Sequence, residues 1–503
     1  MRRGLQQLVE AELLYQQGLP PQATYVFKHA LIQDAAYQSL LKSTRQQYHQ
    51  GIAYVLEAQF PNTMETQPEL LAHHYTAAGC HEQALGYWQR AGQQALQHLT
   101  QGLELLAMFP ETPARAQQEF DLRMALGPAL IATKGQGAPE VEHTYARARA
   151  LCGQVGDTPQ LLPTLRGLCR FYQSRGALLT ARELGEQLLR LAEREAVPIH
   201  CLEAHEVLGT TLFFLGDNAA ARMHLEQGIA LTDPTGQRDL ALRHGEAPGL
   251  RCLAFAAWTL WCLGYPAQAV RRSEEELALA QALAHPYSLA SAQFHTAFLH
   301  YRRREAPAVQ AQAEALLPLA TTQGFPLYVG YGTFWQGWAL AMQGQGEAGL
   351  AQLRQGMATV MATGQELARP RCLVLLAEAT GHVGQAEEGL CLLAEALAAL
   401  EASGQGDLLA EAYRLQGEFL LRQSVPDEAR AAACFQQALT IARRQQAKSW
   451  VLRATMSLSR LWHRQGKRAE ASALLAPIYG WFTEGFDTAD LQEAKALLEE
   501  LAG

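Results

Sequence analysis

Histidine and cysteine gather most densely in this 503-residue sequence at His73, His74, Cys80 and His81, and imidazole with thiolate is the chemistry of a zinc site. The spacing does not deliver one. Adjacent His residues on a helix point about 100° apart, and neither a His-x3-His nor a Cys-x2-Cys pair backs them, so a structural role is the expectation. His200, Cys201 and His205 supply one helical pair, Cys201 with His205, which is too few ligands. The nine cysteines, at 80, 152, 169, 201, 252, 262, 372, 391 and 434, form no C-x-x-C pair. An odd number scattered over helical sequence predicts reduced, partly buried thiols. No G-x-x-x-x-G-K-[ST] loop occurs, and Gly466-Lys467-Arg468 lacks both the loop and the hydroxyl that would meet Mg²⁺. No nucleophile elbow, H-E-x-x-H helix, dinucleotide loop or paired-carboxylate constellation emerges either. The expectation is no catalytic residue, no cofactor and no metal: a chain that is not an enzyme.

Composition points the same way. Apolar residues make up 49% of the chain; Ala, Leu, Gln, Glu and Arg dominate and β-branched residues are few, which favours helix throughout. A formal net charge of −8 argues against a broad phosphate-binding face and hence against nucleic acid as a partner. No apolar run long enough to span a bilayer is present, and the N-terminus lacks a signal-peptide core. The expected location is the cytoplasm, with no membrane partner.

Positioning is the work of a repeat. A Gly ends one helical segment, a small residue follows five positions later, and an apolar residue often stands four further on: Gly176/Ala181, Gly216/Ala221/Leu225, Gly264/Ala269, Gly344/Gly349/Leu353, Gly384/Gly389/Leu393 and Gly466/Ala471/Leu475. Intervals are 40, 48, 80, 40 and 82 residues, so two units lack the marker and turn at Arg304 and near Pro426. Gly at the turn permits a left-handed backbone, and the small residue lets the second helix lie close against the first. Each unit is a helical hairpin with one apolar face left wet, so units must stack into a superhelix with an inner and an outer wall.

The leading segment reads differently. Leu5 to Tyr15 has helical spacing, Gln17-Gly18-Leu19-Pro20-Pro21 breaks it, and Thr24-Tyr25-Val26-Phe27 has strand-forming side chains. A second helix is expected from His29, with Ala30, Leu31, Ala35, Leu40 and Leu41 along one side and His29 and Asp34 at its surface. The stretch Tyr25 to Tyr37, through Leu40-Leu41, resembles the end of the winged-helix segment that follows the nucleotide-binding core in STAND/AAA-type signalling ATPases. Pro68-Glu-Leu-Leu-Ala-His-His-Tyr75 with Gly79, Ala84, Trp88 and Ala91 is similar to the start of the repeats in the same family, and Ala476 to Asp490 to its C-terminus. In one large bacterial branch a class III adenylate/guanylate cyclase precedes the ATPase. The resemblance implies a tetratricopeptide-repeat region that binds a protein, a peptide or a small ligand and regulates linked ATPase and cyclase domains, neither of which this chain contains. With the linked ATPase, Lys28 or His29 would face its nucleotide. Alternatives are a repeat-bearing transcription regulator of that superfamily, or a stand-alone scaffold.

The expected fold is therefore all-α, a tetratricopeptide-like hairpin superhelix behind a small winged-helix remnant. Residues 1–60 form the partial winged-helix module, 61–160 a first hairpin and joint, 161–480 the superhelix and 481–503 a capping helix, with Leu491, Ala494, Leu497 and Leu498 on one side. Spacings near 40 residues exceed the usual ~34 of tetratricopeptide repeats and approach HEAT values, leaving HEAT-like stacking as the second reading.

Likeness to tetratricopeptide repeats also implies an inner wall. Counted back from each turn residue, it takes Arg166 and Arg170, then Glu206, Phe213 and Phe214, then Trp258 and Trp261, then Phe294, Phe298, Tyr301 and Arg302, and then Tyr331, Phe334 and Trp338. Aromatics with Arg dominate binding patches, so a ring-lined trough open to a partner is one reading; rings sealed between neighbouring hairpins are the other. The insertions Asp233 to Asp239 and Arg243 to Gly249 stand beside this region, where a charged loop would cap a ligand. Arg302-Arg303-Arg304 is expected to be a solvated helix end, with contact to a phosphate or an acidic peptide as its alternative.

Overall fold

Left-handed turns build this molecule. Gly176, Gly216, Gly264, Gly344, Gly384 and Gly466 all have φ between 74° and 92°, and each separates two antiparallel helices. Where the marker is missing, Arg304 takes the same conformation at φ 64°. Near Pro426 the turn instead ends on Asp427, whose carboxylate accepts from the Arg430 amide at 3.0 Å. The computed structural model describes residues 14–17, 24–27, 41–59, 67–155, 161–233, 236–244 and 246–502. The chain divides into two units, Met1–Gln94 and Ala95–Gly503.

In the first unit, β1 (Leu14–Gln17) pairs antiparallel with β2 (Thr24–Phe27), Leu14 opposite Phe27. The helical spacing read up to Tyr15 thus gives way to strand at Leu14, because this segment finds a ladder partner in Thr24–Phe27. The helix expected from His29, with Lys28, His29 and Asp34, lies outside the described residues. Helices α1 (Lys42–Gln59), α2 (Pro68–Ala78) and α3 (His81–Ala107), the last belonging to this unit as far as Gln94, follow. Glu57 ties them, accepting from the hydroxyls of Tyr75 and, at 2.5 Å, Tyr87, whose rings stack at 5.7 Å. Burial and this carboxylate push the Tyr87 phenol up to about 12.

The second unit is a run of hairpins: α4 (Pro113–Lys134) with α5 (Pro139–Val155), α6 (Leu161–Ser174) with α7 (Leu178–Glu195), and α8 (Pro198–Leu215) with α9 (Asn218–Ala230). The insertion folds into a short helix, α10 (Gln237–His244). Beyond it come α11 (Pro248–Leu263) with α12 (Pro266–Leu283), α13 (Pro286–Arg302) with α14 (Ala306–Gln323), and α15 (Pro326–Met342) with α16 (Gly346–Ala362). The run ends with α17 (Arg369–His382) and α18 (Ala386–Ser403), α19 (Leu409–Leu421) and α20 (Glu428–Arg444), α21 (Lys448–Arg464) and α22 (Arg468–Tyr479), capped by α23 (Ala489–Ala502). The small residue five beyond each turn does what its size predicts: Ala181, Ala221, Ala269, Ala431 and Ala471 are fully buried. Between α15 and α16 even a methyl group is excluded, since a Cβ on Gly349 would sit 2.6 Å from the backbone of Gly337 and Ala341. The second unit is an all-α superhelix of tetratricopeptide-like hairpins.

The superhelix coils until its turns meet. The amide of Gly406 donates to the Phe214 carbonyl at 2.7 Å, Asn218 Nδ2 to the Gln445 carbonyl at 2.9 Å, and Ser449 Oγ to the Trp261 carbonyl at 2.5 Å. Glu484 accepts from the amides of Ala267 and Gln268 at 3.0 and 3.1 Å. The turns closing α8 and α11 thereby rest on the loops that open α19, α21 and α23. No helix among the described residues is long and apolar enough to cross a membrane.

Candidate functional site

Coil closure decides what the inner wall holds. Trp258, Trp261, Phe213, Phe214, Phe298 and Tyr301 do converge on the inner face of α8, α11 and α13, and all are buried. Trp258 is 1% exposed and Trp261 and Trp338 2%, which corrects the expectation of an open ring-lined trough. Physically, α17, α19 and α21 of the following turn occupy the space in which a partner would lie, as the Trp261 and Trp450 rings, 4.7 Å apart, show. Trp258 is fixed further by its indole N–H, which donates to the His295 carbonyl at 3.0 Å.

Three guanidinium groups fill the axis between those rings. Arg302 is fully buried and lies 4.7 Å from the Phe298 ring centre, with Phe213, Trp261 and Trp450 at 5.4 to 5.6 Å. Its Nη1 donates to Cys262 Sγ at 2.9 Å. Arg371 covers Phe298 at 4.9 Å and Phe214 at 5.1 Å, and Arg453 covers Trp261 and Trp450, both at 5.1 Å. Asp407 lies between the first two, with Oδ2 at 3.6 Å from Arg302 and 4.0 Å from Arg371, one carboxylate against two cations; Asp490 takes Arg453 at 2.8 Å. Arginine rather than lysine suits this place, because a planar, weakly hydrated cation stacks on rings while bonding at its edge.

The basic run therefore is not a solvated helix end. Arg302 and Arg303 are buried, Arg303 Nη1 donating to the Pro266 carbonyl at 3.3 Å, and only Arg304 reaches solvent, paired with Asp490 and Glu493 at 3.3 and 2.7 Å. Phe334 departs from the frame as well: a Cβ on Gly356 would come within 2.5 Å of its backbone N, which sets it against its own second helix. Trp335 joins the rings instead, 5.7 Å from both Phe298 and Tyr301. Sequence reasoning missed Trp335, Arg251, Arg371, Arg453 and Asp407. Three of them had a signal: Arg251, Arg371 and Arg453 each stand 13 residues before a turn Gly (264, 384, 466), the spacing that placed Tyr331.

Part of the inner wall does reach solvent. Arg166 and Arg170 of α6 and Arg251 of α11 expose 15, 25 and 14% of their side chains, and Tyr287 and Tyr331 are half-buried. Glu206 Oε1 accepts from Arg251 Nε at 2.6 Å and from Arg170 Nη1 at 3.3 Å. Arg166 lies 3.6 Å from Glu203. Glu246, from the insertion, accepts from Arg251 and from Ser291 Oγ; this is where the charged loop joins the wall. Phe294 stacks on Tyr331 at 4.1 Å.

The histidine and cysteine groups fall elsewhere. In the first unit His49 and His74 meet through their Nδ1 atoms at 2.9 Å, and in the second His205 meets His224 the same way at 3.0 Å. Among the described residues no group of three or more ligand side chains is placed to hold a metal ion. The nine cysteines are free thiols; Cys391 alone among them is exposed.

The geometry defines the class: a closed tetratricopeptide-like superhelix with a polar, partly open inner recess. No protein-family model matches the chain. An uncharacterized protein of Rhizobium meliloti (strain 1021) is 23% identical over 469 residues, a match that takes in 90% of this chain and 45% of that protein. The chain thus spans about half the length of the curated relative it matches. Among solved structures, a Signal Transduction ATPase with Numerous Domains (STAND) protein with a tetratricopeptide repeat sensor, from Pyrococcus horikoshii, is similar at 14% identity and a TM-score of 0.39, over 76% of this chain and 55% of that one. A Rap protein complexed with Competence and Sporulation Factor gives 12% identity and a TM-score of 0.45, over 72% and 99%.

Proposed function

We propose that the chain is a non-catalytic binding and sensing module, the repeat part of a longer STAND/AAA-type signalling protein. In this reading a peptide, a protein segment or a small ligand enters the superhelix at its open recess, and linked ATPase and cyclase domains are restrained or released in response. Arg166, Arg170 and Tyr331 make the contact; the buried rings and Arg302 hold the coil closed around it. The observation that carries the reading is the recess itself, where charged side chains on successive first helices stay partly solvated although every surrounding element is packed. Only 45% of the Rhizobium relative's length is matched, which leaves room for the domains that such a module would report to. A net charge of −8 supports a partner other than nucleic acid.

The test is affinity selection of a displayed peptide library on the intact 503-residue chain, followed by calorimetry of the enriched sequences. Saturable one-to-one binding with an unchanged helical circular dichroism spectrum is expected. Turnover of a peptide by the chain alone overturns the reading, and failure to enrich any sequence removes a peptide partner from it.

A further inference from the structure

Within that recess the charges of the described residues do not balance. Arg166, Arg170, Arg251 and Arg371 stand against Glu203, Glu206 and Glu246, and Asp407 is nearer to Arg302 than to Arg371. Glu276, the other carboxyl close by, is spoken for by His295, whose Nδ1 lies 2.7 Å from its Oε1, and burial raises it well above the usual carboxylate range. Arg170 and Arg251 share one oxygen of Glu206, and the shorter contact goes to Arg251. Burial and the neighbouring Arg251 cation accordingly depress Arg170, to about 10. Arg371, more than nine-tenths buried, has only Asp407 Oδ2 near its Nε, at 4.0 Å and beyond hydrogen-bond distance. The phenol of Tyr287 lies within range of the Arg170 and Arg251 charges, and that of Tyr331 within range of Tyr287 and Arg371.

We propose that this recess binds a carboxylate, with Arg170 as its principal partner, Arg371 at its floor, and Tyr287 and Tyr331 against the body of the ligand. One cation in excess matches a monoanion. A planar fork of N–H donors matches the two oxygens of a carboxylate, and half-buried phenols give apolar contact with a hydroxyl at the edge. Bound there, the anion neutralises Arg170 where Glu206 reaches it only at 3.3 Å. The inference rests on the sensing reading above and adds the chemical class of what is sensed. The carboxylate belongs either to a small organic acid or to the free C-terminus of a peptide, and the two sources are separable.

Calorimetry at low ionic strength on the intact chain tests it with phenylacetate against phenylacetamide, and with a mixed pentapeptide pool carrying free against amidated C-termini. The acid of at least one pair binds saturably and its amide does not; which pair responds identifies the source. Arg170→Gln weakens that binding at least tenfold with its circular dichroism unchanged, whereas Arg460→Gln, on the exposed face of α21, leaves it intact. Equal behaviour of acid and amide, a response that chloride reproduces, or full binding by Arg170→Gln overturns the site. A library peptide that still binds the Arg170→Gln chain, while the acids stay silent, removes the carboxylate site and leaves the sensing module standing. Saturable acid binding without any enriched peptide does the reverse for a peptide partner.

Discussion

Arg302 and Asp407 approach to 3.6 Å with neither side chain reaching solvent, one at the end of α13 and the other in the loop that opens α19. They belong to different turns of the coil, so their pairing is a closure contact. Replacing Asp407 by Asn leaves Arg302 and Arg371 buried without their carboxylate, and breaking one side of a buried pair costs about 3–5 kcal/mol. Arg302→Met combined with Asp407→Asn leaves only Arg371 without its carboxylate and fills the ring cage with a soft apolar chain. The urea midpoint is expected to drop sharply for Asp407→Asn and to recover in part for the double variant; equal losses in both would mean that charge is not what the pair supplies.

Backbone contact between α15 and α16 gives a prediction of opposite signs. A Cβ on Gly349 meets backbone atoms at 2.6 Å, while one on Gly153 of α5 meets nothing within 4 Å. Gly349→Ala forces the helices apart and is expected to cost about 1–3 kcal/mol. Gly153→Ala relieves only the entropy of a helical glycine and is expected to gain about 0.5–1 kcal/mol. Thermal melts of the two variants decide it.

Hairpins were legible in the sequence because their determinants are local. Gly at a turn, Ala five residues on and Leu four further specify a turn and a close helix pair within one unit, and even Arg304 was placed by register alone. The closure was not legible. Ser449 bonds to the Trp261 carbonyl and Asn218 to the Gln445 carbonyl across sequence separations of 188 and 227 residues, and no short-range periodicity reports how tightly a superhelix coils. The inner frame therefore put Trp258, Phe298 and Arg302 on the correct wall and left open whether anything faced them. Phe334 failed for a local reason instead, since Gly356 draws its backbone toward the second helix and passes the inward position to Trp335.

Acid should loosen the second unit through His205. Burial and then the neighbouring His224 hold its imidazole down, at about 4, against about 6.5 in an unfolded chain. A depressed folded value means that the neutral ring is the form the fold stabilises. This contribution is whole above pH 6.5 and is lost progressively as pH falls toward 4, with a limiting slope of about 1.4 kcal/mol per pH unit for one proton. His205→Gln keeps a polar partner for His224 but does not titrate. The fall in urea midpoint between pH 7 and pH 5 is expected to be shallower in the variant than in the parent; parallel curves would remove His205 from the account.

Trp258 separates a structural wall from a binding wall. Its ring is 1% exposed, lies 4.5 Å from Phe298 and 5.8 Å from the Arg371 guanidinium, and anchors α13 through the His295 carbonyl. Trp258→Ala opens a cavity and strips one face from a buried cation, at a cost of about 3–5 kcal/mol. The expected result is a lower urea midpoint with loss of near-ultraviolet dichroism, before any ligand is added. Arg170→Gln, in the open recess, is expected to leave both untouched and to act only on binding. Should Trp258→Ala keep the parent's midpoint and spectrum, the rings would not be holding the coil shut, and the division of labour between buried aromatics and partly solvated arginines would fail with them.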